Sequence, residues 1–415
     1  MKSSIQLNRI LTGNVPVLVV LSYPALCFLV QGGMNGAMFV LAALALYGLG
    51  SGCRRGEPLT APEIAFGIAM ASGLVAIFLV QLYHQDLAAR YFDSASRFLL
   101  AVPILYALRQ AGGTNLFSVL QYAFPLGALA ALGAVAVYLP SFSHSASLPF
   151  LNHIHLGDMA LLLGFLSVLG INWTHPDHPA LKLFKLAGFG AGLLVSILSQ
   201  ARGGWIALPL FVAFLIHAHT HGNYWKKLAW GLVLVGMLAL LSYLFIGTIH
   251  SRVGMIFSDL AHYQTGHLDT SIGIRLQLWN AAVQLIAAHP IFGVGADGFG
   301  QAMGPMSALH QVTPLAAEYG RGEAHSEILG HAARFGVLGL CALLAVYFVP
   351  LYFFMRLAKS GLRRQAVAAR MGICVTLGFF IFGLTAETFD LKMTAAFYAT
   401  TVAVLLAAAM TRADE

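Results

Sequence analysis

The chain has 415 residues, 59% of them hydrophobic and only 9% charged. Soluble domains carry about a quarter charged residues, so this composition excludes a soluble domain and points to a polytopic membrane protein. A net charge of +7 would suit nucleic acid. The basic residues form no patch, however, and fall between apolar runs as the positive-inside rule requires; nucleic acid is not an expected partner.

Taken in order, the chain opens with Lys2 and Arg9 before an apolar run, which reads as an uncleaved first helix because many spans follow. Hydropathy predicts about twelve transmembrane helices, near 14–31, 34–50, 63–83, 95–110, 117–139, 154–172, 183–199, 203–219, 228–248, 325–354, 368–388 and 391–410. The fold class is therefore all-α, with nine helices in 1–248, one large outer loop over 249–324 and three helices in 325–415. Cys27, Cys53, Cys341 and Cys374 show no CxxC pairing, so neither a disulfide framework nor a zinc site is expected.

Sorting the charges by side places Lys2, Arg9, Arg54, Arg55, Arg109, Lys182, Lys185, Lys226, Lys227, Arg356, Lys359, Arg363, Arg364, Arg370 and Arg412 together. Both termini are then cytoplasmic and the 249–323 loop faces outward. Arg90, Arg97, Arg202, Arg252, Arg275, Arg321, Arg334 and Lys392 fall on the outer side, against the usual bias.

Arg90 and Arg97 have Asp86 and Asp93 nearby, so they either form local ion pairs or contact an anionic substrate. Arg202 sits in Ser199-Gln200-Ala201-Arg202-Gly203-Gly204-Trp205 with no acidic residue in sequence reach. An arginine so placed snorkels to lipid phosphates or serves an anionic ligand, and the ligand is favoured here. His153 and His155 open an outward helix end and could join an outer site. Asp158 is the main acid inside a span. His175, His178, His217, His219 and His221 fall on the cytoplasmic side, the last three in an interfacial belt and not a metal site.

In the long loop, apolar positions 276, 279, 283 and 286 predict an amphipathic helix over the membrane domain, stopped by His289-Pro290. Arg275 is one turn before Trp279, so a cation–π pair could form. Residues 293–298 spell GxGxxG. No strand precedes them and no βαβ unit fits, so they read as a glycine turn capping the loop helix and not as a nucleotide site. The stretch Gly322-Glu323-Ala324-His325-Ser326-Glu327-Ile328-Leu329 then opens the tenth span. Read as a helix from His325, one face carries His325, Leu329, Ala332, Gly336 and Gly339: an ionisable group at the mouth of a tightly packed helix.

Three fragments in order carry a family resemblance. They are Ser199–Trp205; Arg275-Leu276-Gln277-Leu278-Trp279 with His289-Pro290-Ile291-Phe292-Gly293-Val294-Gly295; and His325-Ser326-Glu327-Ile328-Leu329 with Gly336-Val337-Leu338-Gly339. Together they resemble the O-antigen ligase and polymerase superfamily, over roughly the second half of the chain. Length and the single large loop look most like the ligases. Ser326 stands where the family often has asparagine.

The resemblance implies a GT-C-like glycosyltransferase of the bacterial inner membrane, working on the periplasmic face. It implies undecaprenyl-diphosphate-linked O-antigen as donor, a lipid A-core sugar as acceptor, and contact with membrane lipids. It also implies functional roles for Arg202, Arg275 and His325. Arg90, Arg97, Glu323, Ser326 and Trp279 complete the expected substrate-contacting set. The chemistry agrees: a diphosphate leaving group needs its charge stabilised, which a metal or arginines can do. No DxD-type pair occurs in the outer loops, so arginines are expected, with no metal and no cofactor. A polymerase would use the same donor chemistry. A secondary transporter would instead show internal repeats and charges near the bilayer midplane.

Overall fold

The computed structural model describes residues 14–50, 59–110, 114–138, 145–173, 175–219, 225–231, 266–360 and 362–411, with single positions at 233, 236, 237, 254, 258 and 259. Lys2, Arg9, Cys53, Arg54, Arg55, His221, Arg252, Arg412 and most of the ninth expected span lie outside the described residues, as do the side chains of Arg202 and His219.

All described elements are helical, with no strand among them. They are α1 (Asn14–Leu29), α2 (Gly33–Gly50), α3 (Ala61–Tyr83), α4 (Ala95–Gln110), α5 (Thr114–Tyr138), α6 (His153–Leu169), α7 (Pro179–Ser199), α8 (Arg202–Trp205) and α9 (Leu208–His219). There follow α10 (Ser271–Ala288), α11 (Gly298–Ala308), α12 (Pro314–Gly320), α13 (Glu327–Leu357), α14 (Arg363–Phe382) and α15 (Lys392–Met410). Among the described residues six helices are long and apolar enough to cross a membrane, namely α3, α5, α7, α13, α14 and α15. Four shorter apolar helices accompany them.

Local chemistry sets several boundaries. Thr60 and Glu63 form a capping box ahead of Pro62 at the start of α3. Asn152, Thr270, Thr313 and Ser326 each cap a helix by accepting an amide hydrogen. α15 is the axis of the bundle, and nearly all its side chains are buried. Its small residues let α4, α14 and α13 close around it, and Tyr398 donates to the Val346 carbonyl (2.8 Å).

α13 runs the length of the molecule and so separates two ends. At its far end lie Arg356, Lys359, Arg363, Arg364 and Lys185, the last buried and paired with Asp177 (2.8 Å). At its beginning lie His325, Arg334 and Lys392. There α10 and α11 pack on its first turns and α12 packs on α10 and α11, in a cluster that includes Leu278, Ala281, Ala282, Phe299, Met303, Ala316 and Ala333.

Several sequence expectations change here. The eighth span is divided into α8 and α9. The eleventh ends at Phe382, and 383–391 is a connecting loop. α10 buries Gln277, Leu278, Ala281 and Ala282, not the 276/279/283/286 stripe, and Val283 is exposed. Its alanines let α11 and α12 approach closely, so small residues mark the buried face more than large ones do.

The tenth span does not start at His325. Its helix begins at Glu327 and breaks at Gly336 (φ 61°, ψ −155°), where a Cβ would overlap the Ile291 carbonyl. The Pro290–Gly295 segment threads this break. The Val337 amide donates to the Pro290 carbonyl, and the amides of Val294 and Gly295 donate to the carbonyls of Ala333 and Arg334, all at 2.9 Å. The glycine turn does close α10, with Gly293 N–H donating to His289 (3.0 Å), but its larger role is to complete the broken ladder of α13.

Candidate functional site

The loop between α14 and α15 meets both the Arg202 turn and the Glu323–Glu327 stretch, and Trp279 reaches that same stretch through the His325 carbonyl. Gly383 accepts the Glu327 amide (2.7 Å), and Glu387 Oε1 accepts the Ala324 amide (2.5 Å). In return the Glu387 amide donates to Glu323 Oε2 (3.3 Å). Glu327, buried, takes the Thr388 hydroxyl and the Phe389 amide on Oε2 (both 2.9 Å), and His331 Nδ1 stands 3.1 Å from its Oε1. Six neighbouring groups thus fix the chain from Glu323 to Glu327.

That clamp holds His325 at φ 53°, a left-handed conformation that non-glycine residues seldom adopt. Its Nδ1 lies 2.8 Å from Glu323 Oε1, and its carbonyl accepts the Trp279 indole N–H (3.3 Å). Burial pushes the Glu323 carboxyl up. The hydrogen bond and charge of His325 and the Glu387 amide outweigh it, so Glu323 sits below its ordinary value. Arg275, one turn before Trp279 on α10, feels the Glu323 charge, while burial pulls its guanidinium down. It makes no ion pair within 4 Å among the described residues, and no cation–π contact with Trp279 forms.

The Arg202 turn reaches the same loop from the other side. A Cβ at Gly203 would overlap Thr385, and one at Gly204 would overlap buried Asp158 on α6. A Cβ at Gly157 would likewise overlap Ser199. The two glycines therefore let the turn sink between α6 and the 383–390 loop. His155 is buried one turn before Asp158, close enough to Glu323 and Glu327 to feel their charge.

The remaining expected residues have structural partners. Arg90 pairs with Asp297 at the start of α11 (2.6 Å), and not with Asp86 or Asp93, and donates to the Tyr91 hydroxyl (2.9 Å). Arg97 is buried, donating to Asn35 (2.8 Å) and standing 3.5 Å from Asp93. Ser326 caps α13. His178 caps α7, and His175 meets Arg364 (3.2 Å). No group of three or more His, Cys, Asp or Glu is placed to hold a metal ion among the described residues.

Sequence reading missed two acids, buried Glu387 and the exposed Asp390. Glu387 and Asp390 share Arg334, whose Nη1 lies 2.5 Å from Glu387 Oε2 and 2.9 Å from Asp390 Oδ2. The signal was two carboxylates three residues apart in an apolar stretch, facing an arginine inside a span.

Residues 187–344 match the family model described as O-antigen ligase. An O-antigen ligase of Escherichia coli K12 is 24% identical over 263 residues, 60% of this chain and 60% of its own length. Part of the chain, residues 187–344, is thus similar to the O-antigen ligase family. An uncharacterized protein of Haemophilus influenzae is 25% identical over 317 residues, 75% of this chain and 78% of that one. The segment matched to the O-antigen ligase model holds Arg202, Arg275, Trp279, Glu323 and His325. It ends before the 383–390 loop, which holds the Glu323–Glu327 stretch and meets the Arg202 turn.

Proposed function

We propose that this protein transfers a glycan from undecaprenyl diphosphate to a lipid A-core sugar, at the periplasmic face of the inner membrane, by metal-independent inverting transfer. The observation that carries this reading is the Glu323–His325 pair, 2.8 Å apart, with the half-buried Arg275 in the field of the same carboxylate. The similarity of residues 187–344 to the O-antigen ligase family supports the donor and acceptor classes. The arginines of the larger basic set at the far end of α13 support the orientation.

In this reading the acceptor hydroxyl attacks the anomeric carbon on the face opposite the diphosphate. The bond from that carbon to the diphosphate oxygen breaks, and the bonding pair leaves with the diphosphate. Arg275 and Arg202 receive the charge that develops there, with the bidentate contacts a guanidinium offers. The diphosphate needs little protonation, so the site requires one base and no strong acid. Glu323 accepts Nδ1–H, which fixes the tautomer and leaves Nε2 of His325 to take the acceptor proton. Glu323 orients, and His325 is the base.

The test is to incubate purified protein with lipid-linked glycan, with and without lipid A-core. A conjugate that requires lipid A-core is expected, undiminished by EDTA. A glycan that lengthens on its own carrier would make the protein a polymerase. Loss on chelation with rescue by Mg²⁺ would overturn metal independence.

A further inference from the structure

A half-open cavity of about 660 Å³ lies beside this site, bounded by α3, α4, α11, α13 and α15. Arg275 and His325 do not line it. Its α13 wall runs from His331 to Val346, about 22 Å at a rise of 1.5 Å per residue. That is more than the half-thickness of a hydrocarbon core, about 15 Å. The two ends differ in character. Arg90, Asp93, Asp297, Arg334, Asp390 and Lys392 form one, near the Glu323–His325 segment; Gly73, Ala342, Leu343 and Val346 form the other.

Most of the polar end is already neutralised; of its lining cations, exposed Arg321 makes no ion pair within 4 Å among the described residues. Arg90 is paired with Asp297 (2.6 Å), Lys392 with Asp93, and Arg334 with Glu387 and Asp390. A diphosphate would have to break these pairs and face three carboxylates. Hydroxyl groups can instead donate to the free lone pairs of carboxylates and accept from guanidinium N–H groups without separating the charges. The apolar end has unused room: a Cβ at Gly73 meets nothing within 4 Å.

We propose that this cavity seats the acceptor glycolipid, with hydrocarbon along the α3–α13 wall and sugar hydroxyls at the ion-paired rim. This rests on the glycosyl-transfer reading of the His325 site and divides the substrates between two places. The diphosphate lies at Arg275, which has no ion pair among the described residues, and the hydroxylated lipid lies where most of the charges are satisfied. The acceptor then reaches the Glu323–His325 segment from the Gly322 side, which lines the cavity.

Gly73→Leu fills the open apolar end, and Gly133→Leu on α5, where a Cβ also meets nothing within 4 Å, is the control. With both substrates titrated separately, Gly73→Leu should raise KM for lipid A-core at least tenfold. KM for the lipid-linked glycan and kcat should stay within twofold, and Gly133→Leu should change neither. A rise in the donor KM instead, or no change in either, overturns the proposal. A second readout needs no turnover: benzoylphenylalanine at position 73, in nanodiscs holding lipid A-core, undecaprenyl phosphate and phosphatidylethanolamine. Crosslinking to lipid A-core supports the seat, and crosslinking only to either other lipid overturns it. If lipid A-core is crosslinked and no conjugate ever forms, the seat stands and the transferase reading alone fails.

Discussion

Two charged clusters meet at Glu387, and they are built in opposite ways. Around Arg334 every charge is answered: Glu387 and Asp390 face one guanidinium, and Glu327 next door accepts from both Thr388 and Phe389. Around His325 the pairing stops short. Glu323 holds the imidazole, while Arg275 feels that carboxylate without a direct ion pair among the described residues. Charges saturated within the protein fix a shape. Charges left open in a half-buried site are kept for something that arrives later.

The widest separation between the clusters should appear with His325→Ala. Loss of a general base lowers turnover about 10²–10⁴-fold, on the order of 3–5 kcal/mol of barrier. The melting temperature in detergent should stay at the wild-type value. Near-normal turnover of His325→Ala beside a dead Glu323→Gln would move the base to the carboxylate.

Arg334→Met should give the opposite pattern. It leaves buried Glu387 and its exposed neighbour Asp390 without their cation, a loss of about 3–5 kcal/mol that comes chiefly from the buried carboxylate. Thermal unfolding of the purified protein should show it before any assay does. If Arg334→Met is as stable as wild type and only slower, the saturated cluster is part of the chemistry and the contrast collapses.

Arg275→Lys sharpens the comparison more gently. Charge is kept and the planar fork is lost, so turnover should fall about 10²-fold, comparable to removing one oxyanion donor, with stability unchanged. A variant as active as wild type would show that only net charge matters at that position.

The smallest effect concerns pH. Glu323 sits below its ordinary value of 4.5 in the folded protein, so its stabilising contribution is complete above that value and is lost as pH falls through the lowered one. Melting temperature should be flat from pH 8 to 5 where Glu323 is concerned and decline below. Glu323→Gln should flatten part of that decline. An unchanged decline would mean that other carboxylates account for it.

Much of this arrangement was legible in the sequence. Apolar runs pointed to the helical class, and the order of the Arg202, Arg275 and His325 fragments pointed to the family that residues 187–344 resemble. Other features were hidden for physical reasons. Periodicity cannot see that Ser326 caps the helix and leaves His325 outside it, because a cap and a first turn share the same spacing. A stripe of large residues misassigned the buried face of α10, where Ala281 and Ala282 do the packing. Arg90 found Asp297, more than two hundred residues away, and no local rule predicts such a partner. Glu387 was concealed by the apolar stretch around it, which read as the end of a span.

The threading of Pro290–Gly295 through the break in α13 bears on the order of assembly. A span with a gap in its ladder would carry unpaired groups at Ala333, Arg334 and Val337 toward lipid, each costing several kcal/mol. Those groups are answered only by a segment made earlier in the chain, beyond α10. The outer layer must therefore be in place as the first turns of α13 settle, so synthesis order and docking order coincide. The α10–α12 layer is an assembly jig for α13, and the 383–390 loop closes over a frame already built.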